Sequence, residues 1–385
     1  MGAICALGED VAEITDGLIQ GRTGLAPSVR AELPYGDQVF GEVAASNATL
    51  IARLKDRLPD PPRSRTALLA LIAAKEATAS CSKMADTVVI SASTVGGMDL
   101  SERCFASWRA GDMKQVQDAL EHPVGNHTGH VARMIGSRAM RTTISTACSS
   151  SANALMMGAQ LLIAGETDRV LAGGADALCR FTIEGFRSLS AMDPRTARPF
   201  SGDRDGMNLG EGAAYLMLER HDDVLRSGRT PLAVFAGWCN RNDAYHQTAT
   251  SADGQGPYEA MTGALRRAGI GPTEVDHINA HGTGTDNNDG TELAAIERIF
   301  SHIPPFTSTK ALTGHTLGAA GALEAVIAVI CLKEGIIPAG PSRIMPMPGH
   351  RARPVTRVKR GEVRSVLSNS FGFGGNDTSL LFTAV

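Results

Sequence analysis

Cys148 is the residue of this chain best placed to act as a nucleophile. It lies in Ile144-Ser145-Thr146-Ala147-Cys148-Ser149-Ser150-Ser151-Ala152-Asn153, where a short β-branched run gives way to a stretch rich in Ala, Leu and Met. A cysteine at a strand-to-helix junction feels the positive end of the helix dipole, so its thiol pKa is expected to fall and its thiolate fraction to rise. Small neighbours let the backbone turn sharply and let a substrate approach. The other six cysteines, Cys5, Cys81, Cys104, Cys179, Cys239 and Cys331, have no such setting and read as small apolar fillers.

Two loops supply partners for a thiol. Ala280-His281-Gly282-Thr283-Gly284-Thr285 and Thr309-Lys310-Ala311-Leu312-Thr313-Gly314-His315-Thr316-Leu317-Gly318 each place a histidine among small and glycine residues. With Cys148 they make a Cys/His/His set drawn from distant parts of the chain, as catalytic sites usually are. Other chemistries fit less well. His277 and His281 are four apart, but in a predicted strand that spacing builds no helical zinc face, and no catalytic metal is expected. The glycine-rich Phe371-Gly372-Phe373-Gly374-Gly375 has no βαβ unit after it and no ribose-binding acid, which sets dinucleotide binding aside.

The elements that must hold these residues alternate between apolar runs and small-residue helices, the pattern of a layered α/β fold. Strands are predicted at 87–90, 142–146, 170–175, 232–236, 275–280 and 363–367. Helices are predicted at 149–164, 256–268, 289–300 and 318–334. The Arg226-Ser227-Gly228-Arg229-Thr230-Pro231 break divides the chain into halves, 1–229 and 230–385, that share one core because no flexible tether separates them.

Composition narrows the class. The 385 residues include 37 Lys+Arg against 40 Asp+Glu, a net charge of −3, which argues against a nucleic-acid partner. Hydrophobic residues at 43% with 20% charged suit a globular chain with a large core. No apolar run approaches the roughly 18 residues of a membrane span, and Met1-Gly2-Ala3-Ile4-Cys5 is not a signal peptide. Unpaired thiols, an odd count of seven cysteines and no CxxC favour the cytoplasm.

Taken in order, these motifs resemble the elongating β-ketoacyl-acyl carrier protein synthases, condensing enzymes of the thiolase fold. The resemblance covers nearly the whole chain. It runs through the Cys148 segment, Arg198-Pro199-Phe200-Ser201-Gly202-Asp203-Arg204-Asp205-Gly206, Gly210-Glu211-Gly212 and Asp243-Ala244-Tyr245-His246, then the two histidine loops and Asn369-Ser370-Phe371-Gly372-Phe373-Gly374-Gly375. It implies a five-layered αβαβα fold of two similar halves, a dimer of identical or related chains, and an acyl carrier protein as partner. It also implies a decarboxylative Claisen condensation. Cys148 would carry the acyl thioester, and neutral His281 and His315 would stabilise the malonyl-derived enolate. The N–H groups of Cys148 and Phe373 would form a second oxyanion hole, with Phe373 also a gate.

By the same resemblance Lys310 supports the histidines and Glu292 pairs with Lys310. Thr248, Thr283 and Thr285 contact the phosphopantetheine arm, although a loop threonine can equally cap its own backbone. Asn279, Ala280, Glu324, Ser368 and Asn369 are expected to hold either a structural monovalent cation or a hydrogen-bond network without one; no other cofactor is expected. Arg63, Arg65, Arg138 and Arg141 are candidates for the carrier-protein entrance or simply solvated charges. Met98, Met156, Met157 and Phe181 are candidates for the acyl pocket or the core. Asn376-Asp377 stands where the family more often has Thr-Asn; together with Thr146-Ala147-Cys148-Ser149-Ser150-Ser151 and Gly314-His315-Thr316-Leu317 it resembles condensing enzymes outside core fatty-acid synthesis, such as the aryl-polyene type. The family's first strand is expected to be missing, since Met1 to Gly8 resembles the motif that follows it. A chain-length-factor-like partner subunit is the alternative, which the intact Cys148, His281, Lys310 and His315 oppose. Thiolase chemistry would need a second cysteine beyond Cys331, and the initiating synthases carry Asn at the place of His315.

Overall fold

Ten strands of the chain build two five-stranded sheets of the same plan. The computed structural model describes residues 1–30, 33, 35–36, 38–112 and 116–385. In the first sheet β1 (Gly2–Cys5), β2 (Val88–Ala92), β3 (Arg141–Ile144), β4 (Arg169–Asp176) and β5 (Gly212–Glu219) lie in the order β1-β5-β4-β2-β3. In the second, β6 (Val234–Asn242), β7 (His277–Asn279), β8 (Phe306–Thr307), β9 (Ser365–Gly372) and β10 (Asn376–Thr383) lie in the order β6-β10-β9-β7-β8. Within each sheet the second, third and fourth strands of the half run parallel, while the fifth and first add antiparallel. Identical order and polarity make the two halves structural repeats although their sequences show none.

This repeat corrects one expectation. Gly2–Cys5 pairs antiparallel with β5, from Gly2 opposite Tyr215 to Cys5 opposite Gly212, and so fills the first-strand position that β6 fills in the other half. It is four residues long against nine for β6.

Helices complete five layers. Helix α1 (Arg65–Ala77) covers β1 and β5 on the outer face of the first sheet. Helices α2 (Ser150–Ile163) and α5 (Ala320–Glu334) lie between the sheets and touch both. Helix α3 (Gln255–Ala268) covers β6 and β10, with α4 (Asp286–Ile299) beside it. The layer position explains composition: α5 is buried at every residue from Ala320 to Cys331 and, Glu324 apart, is apolar on every face of that stretch, as a helix between two sheets must be. The predicted strand at 142–146 stops at Ile144 because Thr146–Cys148 leaves the sheet to form a turn. Among the described residues no helix is long and apolar enough to cross a membrane.

Candidate active site

The turn that carries Cys148 is held by its own side chains. Between β3 and α2, Ala147 adopts φ +52°, a conformation that L-residues seldom take. Two serines satisfy the bent backbone: Ser150 Oγ accepts from Thr146 N–H (2.8 Å) and donates to Ala147 O (2.6 Å), and Ser149 Oγ donates to Thr146 O (2.8 Å). Small polar residues after the cysteine are therefore required by the turn itself. Helix α2 starts at Ser150 with Ser149 as its N-cap, which leaves Cys148 one residue outside the helix. The thiol is buried, and burial pushes its pKa up to about 11 against the opposing pull of the Lys310 charge, the Phe373 N–H and its own N–H. The lowered pKa expected from the helix dipole is thus reversed by desolvation.

The histidines arrive from the second half. His281 follows β7, where Glu292 of α4 accepts the N–H groups of His281 and Gly282, both at 2.9 Å. His315 is gripped by the first half: its N–H donates to Asn208 O (2.8 Å) and its carbonyl accepts from Gly210 N–H (2.9 Å). Leu317 N–H donates to His315 Nδ1 (3.3 Å), which makes Nδ1 an acceptor and places the ring proton on Nε2. That Nε2 is buried with no hydrogen-bond partner among the described residues, an N–H waiting for an acceptor. The rings meet edge to face, 5.5 Å between centroids. Cys148 Sγ and one nitrogen of each ring all lie within 4.8 Å of one another, the only such group of three metal-type ligands among the described residues. Burial, then the Lys310 charge, holds both imidazoles well below their ordinary pKa, so both are neutral.

Lys310 lies behind the triad and outside the cavity. Its Nζ donates to Glu324 Oε1, and both side chains are buried. This corrects the expected Lys310–Glu292 pair: Glu292 is committed to the His281 and Gly282 N–H groups and to Asn369 Nδ2 (3.0 Å). Glu324, expected among the cation ligands, is the counter-charge.

A cavity of about 320 Å³ opens onto Cys148, His281 and His315, and Thr248, Thr283, Thr285 and Phe373 also line it. Phe373 is half-buried on the turn between β9 and β10 and packs on Phe186, 5.7 Å between ring centroids. None of the four expected pocket residues lines this cavity; Met156 and Met157 pack on the core between the sheets, and Phe181 is 64% exposed. Of the entrance arginines, Arg65 is buried on Glu211, Arg63 pairs with Asp118 (2.5 Å), and Arg138 and Arg141 are exposed.

Sequence reading passed over the state of Asp377. This β10 residue is fully buried, and neither carboxyl oxygen has a hydrogen-bond partner among the described residues. It fits only because Gly256 has no side chain, since a Cβ there would sit 2.1 Å from Oδ2. Burial, with the charges of Asp243 and Glu292, pushes its pKa up to about 8. Between the ordinary carboxylate pKa and about 8 the folded chain therefore binds one more proton than the unfolded chain, so stability falls as pH rises through that window. Asp377→Asn removes the charge at constant size. Above pH 8 it is expected to raise stability by about 1–3 kcal/mol, because the amide, although as unpartnered as the carboxyl, never becomes a buried charge beside Asp243 and Glu292. Urea midpoints measured from pH 5 to 9 should converge for the two proteins at the acid end and part at the alkaline end.

Comparison with known proteins agrees with this geometry. The family model for the β-ketoacyl synthase N-terminal domain matches residues 1–224, and that for the C-terminal domain matches residues 232–342. Nodulation protein E of Rhizobium meliloti (strain 1021) is 33% identical over 401 residues, covering 100% of this chain and 98% of the relative. A 3-oxoacyl-[acyl-carrier-protein] synthase 2 of Staphylococcus aureus is 30% identical over 409 residues, covering 99% of each. The solved structure of the ishigamide ketosynthase/chain length factor superposes with a TM-score of 0.92 at 30% identity, covering 100% of this chain and 97% of that one. A buried thiol facing two neutral histidines, on a duplicated five-layered fold matched along its length, places this chain in the β-ketoacyl synthase family.

Proposed function

We propose that the cavity condenses an acyl group held on Cys148 with a malonyl unit, each delivered by an acyl carrier protein, and extends the acyl chain by two carbons. The single observation that carries this reading is the convergence of Cys148 Sγ and the two ring nitrogens within 4.8 Å at the cavity wall. In the first half-reaction Sγ attacks the thioester carbonyl of the acyl-carrier. The thiol proton passes to His281, the ring whose nitrogens are not fixed as donors, and then to the departing carrier thiolate. The N–H groups of Cys148 and Phe373, both near enough to the sulfur to draw its pKa down, would hold the oxyanion. In the second half-reaction the bond from the malonyl α-carbon to its carboxylate breaks, CO2 leaves, and the electron pair forms an enolate. The Nε2–H of His315 and an N–H of His281 hold its oxygen. The α-carbon then attacks the Cys148 thioester carbonyl, the acyl C–S bond breaks, and the cysteine leaves as thiolate and takes a proton from water. Burial, aided by the Lys310 charge, keeps both rings neutral and able to donate.

Thr248, Thr283 and Thr285 would bond the amides and hydroxyl of the phosphopantetheine arm along the cavity wall. A structural monovalent cation fits at Glu324 Oε2, which is buried without a partner among the described residues. Main-chain oxygens of Asn279, Ala280, Ser368 and Asn369 would complete it, because the Asn279 and Asn369 side-chain oxygens already accept from Thr309 and Ser379. A catalytic metal on Cys148, His281 and His315 is disfavoured by the Lys310 charge, which bears on all three. A pairing of two chains, identical or related as ketosynthase and chain length factor, is supported by exposed Phe105 (57%), Trp108 (55%) and Phe181 (64%).

Intact-mass analysis after incubation with acyl-carrier proteins of several lengths tests the reading. One acyl adduct, mapped to the Cys148 peptide and discharged by malonyl-carrier protein with release of the extended product, is the expected result. No adduct with any donor, alone or beside a related partner chain, would overturn it.

A further inference from the structure

Asp176 takes no part in the chemistry above and does not line the cavity, yet it is tied to the turn that orients His315. It ends β4 and is fully buried. Its carboxylate accepts from the Ser93 hydroxyl, from Thr94 N–H (3.0 Å) and Thr94 Oγ1 (2.7 Å), from Val95 N–H (3.3 Å) and from Gly318 N–H (2.7 Å). Four of these five donors belong to the same half as Asp176; Gly318 comes from the other half. Gly318 follows Leu317, whose φ is +54° and whose N–H is the one that faces His315 Nδ1. A non-glycine residue persists at such a φ only when its surroundings fix it. The carboxylate on the next N–H supplies that constraint, and only an acceptor-only group can receive all five donors.

We infer that Asp176 is a positioning residue for condensation: by anchoring Gly318 N–H it holds Leu317 N–H on His315 Nδ1 and so keeps the His315 proton on Nε2, aimed at the enolate oxygen. The inference rests on His315 acting as the enolate donor. When the anchor is lost the Leu317 N–H turns away, the proton can move to Nδ1, and Nε2 becomes an acceptor that repels the developing oxyanion. Acylation of Cys148 draws on the Cys148 and Phe373 N–H groups and is untouched.

Two variants break the link from opposite sides. Asp176→Asn replaces one acceptor oxygen by an NH2 that faces N–H donors. Gly318→Ala keeps the carboxylate but puts a Cβ 2.8 Å from Asp176 Oδ2, so it serves if Asp176→Asn does not fold. Each is expected to lower malonyl decarboxylation about 10–100-fold, part of the loss that follows removal of an oxyanion donor or a wrong imidazole tautomer, with the acylation rate of Cys148 nearly unchanged. In parallel, 15N spectra of histidine-labelled protein, assigned by a His315→Gln difference, should show Nε2–H alone in the parent and a mixture of tautomers in the variants. This second readout needs no substrate, so it judges the anchor even if the parent takes up no acyl group and the proposed reaction falls. An unchanged tautomer, or an equal loss of acylation and decarboxylation, would overturn the assignment.

Discussion

His315→Ala is expected to lower malonyl decarboxylation by about 10²–10³-fold, the cost of removing one preorganised donor from a developing oxyanion, while Cys148 is still acylated at nearly the parent rate. The asymmetry follows from the tautomer. With Nδ1 engaged by Leu317 N–H, His315 can donate from Nε2 but has no free lone pair to take the thiol proton. That proton must leave a sulfur whose pKa burial has raised to about 11, and His281 is the remaining ring within reach. His281→Ala should therefore slow both half-reactions, and His315→Ala only the second. Pre-steady-state acylation followed by intact mass, beside CO2 release from malonyl-carrier protein on the acylated enzyme, separates them. Equal losses in both half-reactions for the two variants would remove the distinction between a proton acceptor and a fixed donor.

What the sequence made legible here is what local chemistry dictates. The Thr146-Ala147-Cys148-Ser149-Ser150 turn could be read because its serines satisfy the backbone they belong to. The histidine loops could be read because small residues must surround a ring that substrate approaches. Features that depend on where distant elements pass could not be read in the same way. Glu292 has a plausible spacing to His281, and it is indeed beside it, but as the acceptor of two backbone N–H groups; the Lys310 partner is Glu324, brought over by the course of α5 between the sheets. The helix-dipole argument for Cys148 gave the right junction and the wrong sign, because burial is a property of the assembled layers. The strand at Gly2–Cys5 is too short to announce itself and is recognised only by its counterpart β6 in the repeat. Arg65 shows the same limit: beside Arg63 in an arginine- and proline-rich stretch it reads as surface, yet it is the first residue of a helix buried on nearly every side.

Arg65 also carries the largest expected loss of stability. Its guanidinium lies in the first half with Nε 3.0 Å and Nη2 2.7 Å from Glu211 Oε1, and it donates further to Ala45 O, Val43 O and Asn47 Oδ1. Both side chains are almost wholly buried, at 3% and 0% exposure. Arg65→Ala would leave the Glu211 carboxylate in the interior with Arg30 (3.2 Å) and the N–H groups of Val43 and Leu178 as its remaining partners. Breaking a buried pair in this way typically costs about 3–5 kcal/mol, more than the pair contributes when intact, because the penalty is the stranded charge. The double variant Arg65→Met with Glu211→Gln should recover much of that loss, since the amide oxygen still receives the Val43 or Leu178 N–H and Arg30, deprived of Glu211, keeps Glu42 at 3.5 Å. Urea midpoints at an unchanged slope would measure both changes. The effect should also reach the site: Glu211 follows Gly210, whose N–H holds the His315 carbonyl, so disorder spreading from a Glu211 that has lost Arg65 reaches the loop that carries the His315 ring. A fall in decarboxylation in Arg65→Ala below its unfolding midpoint, restored in the double variant, would show that the Gly210-Glu211-Gly212 motif serves the active site through the buried charge at its centre.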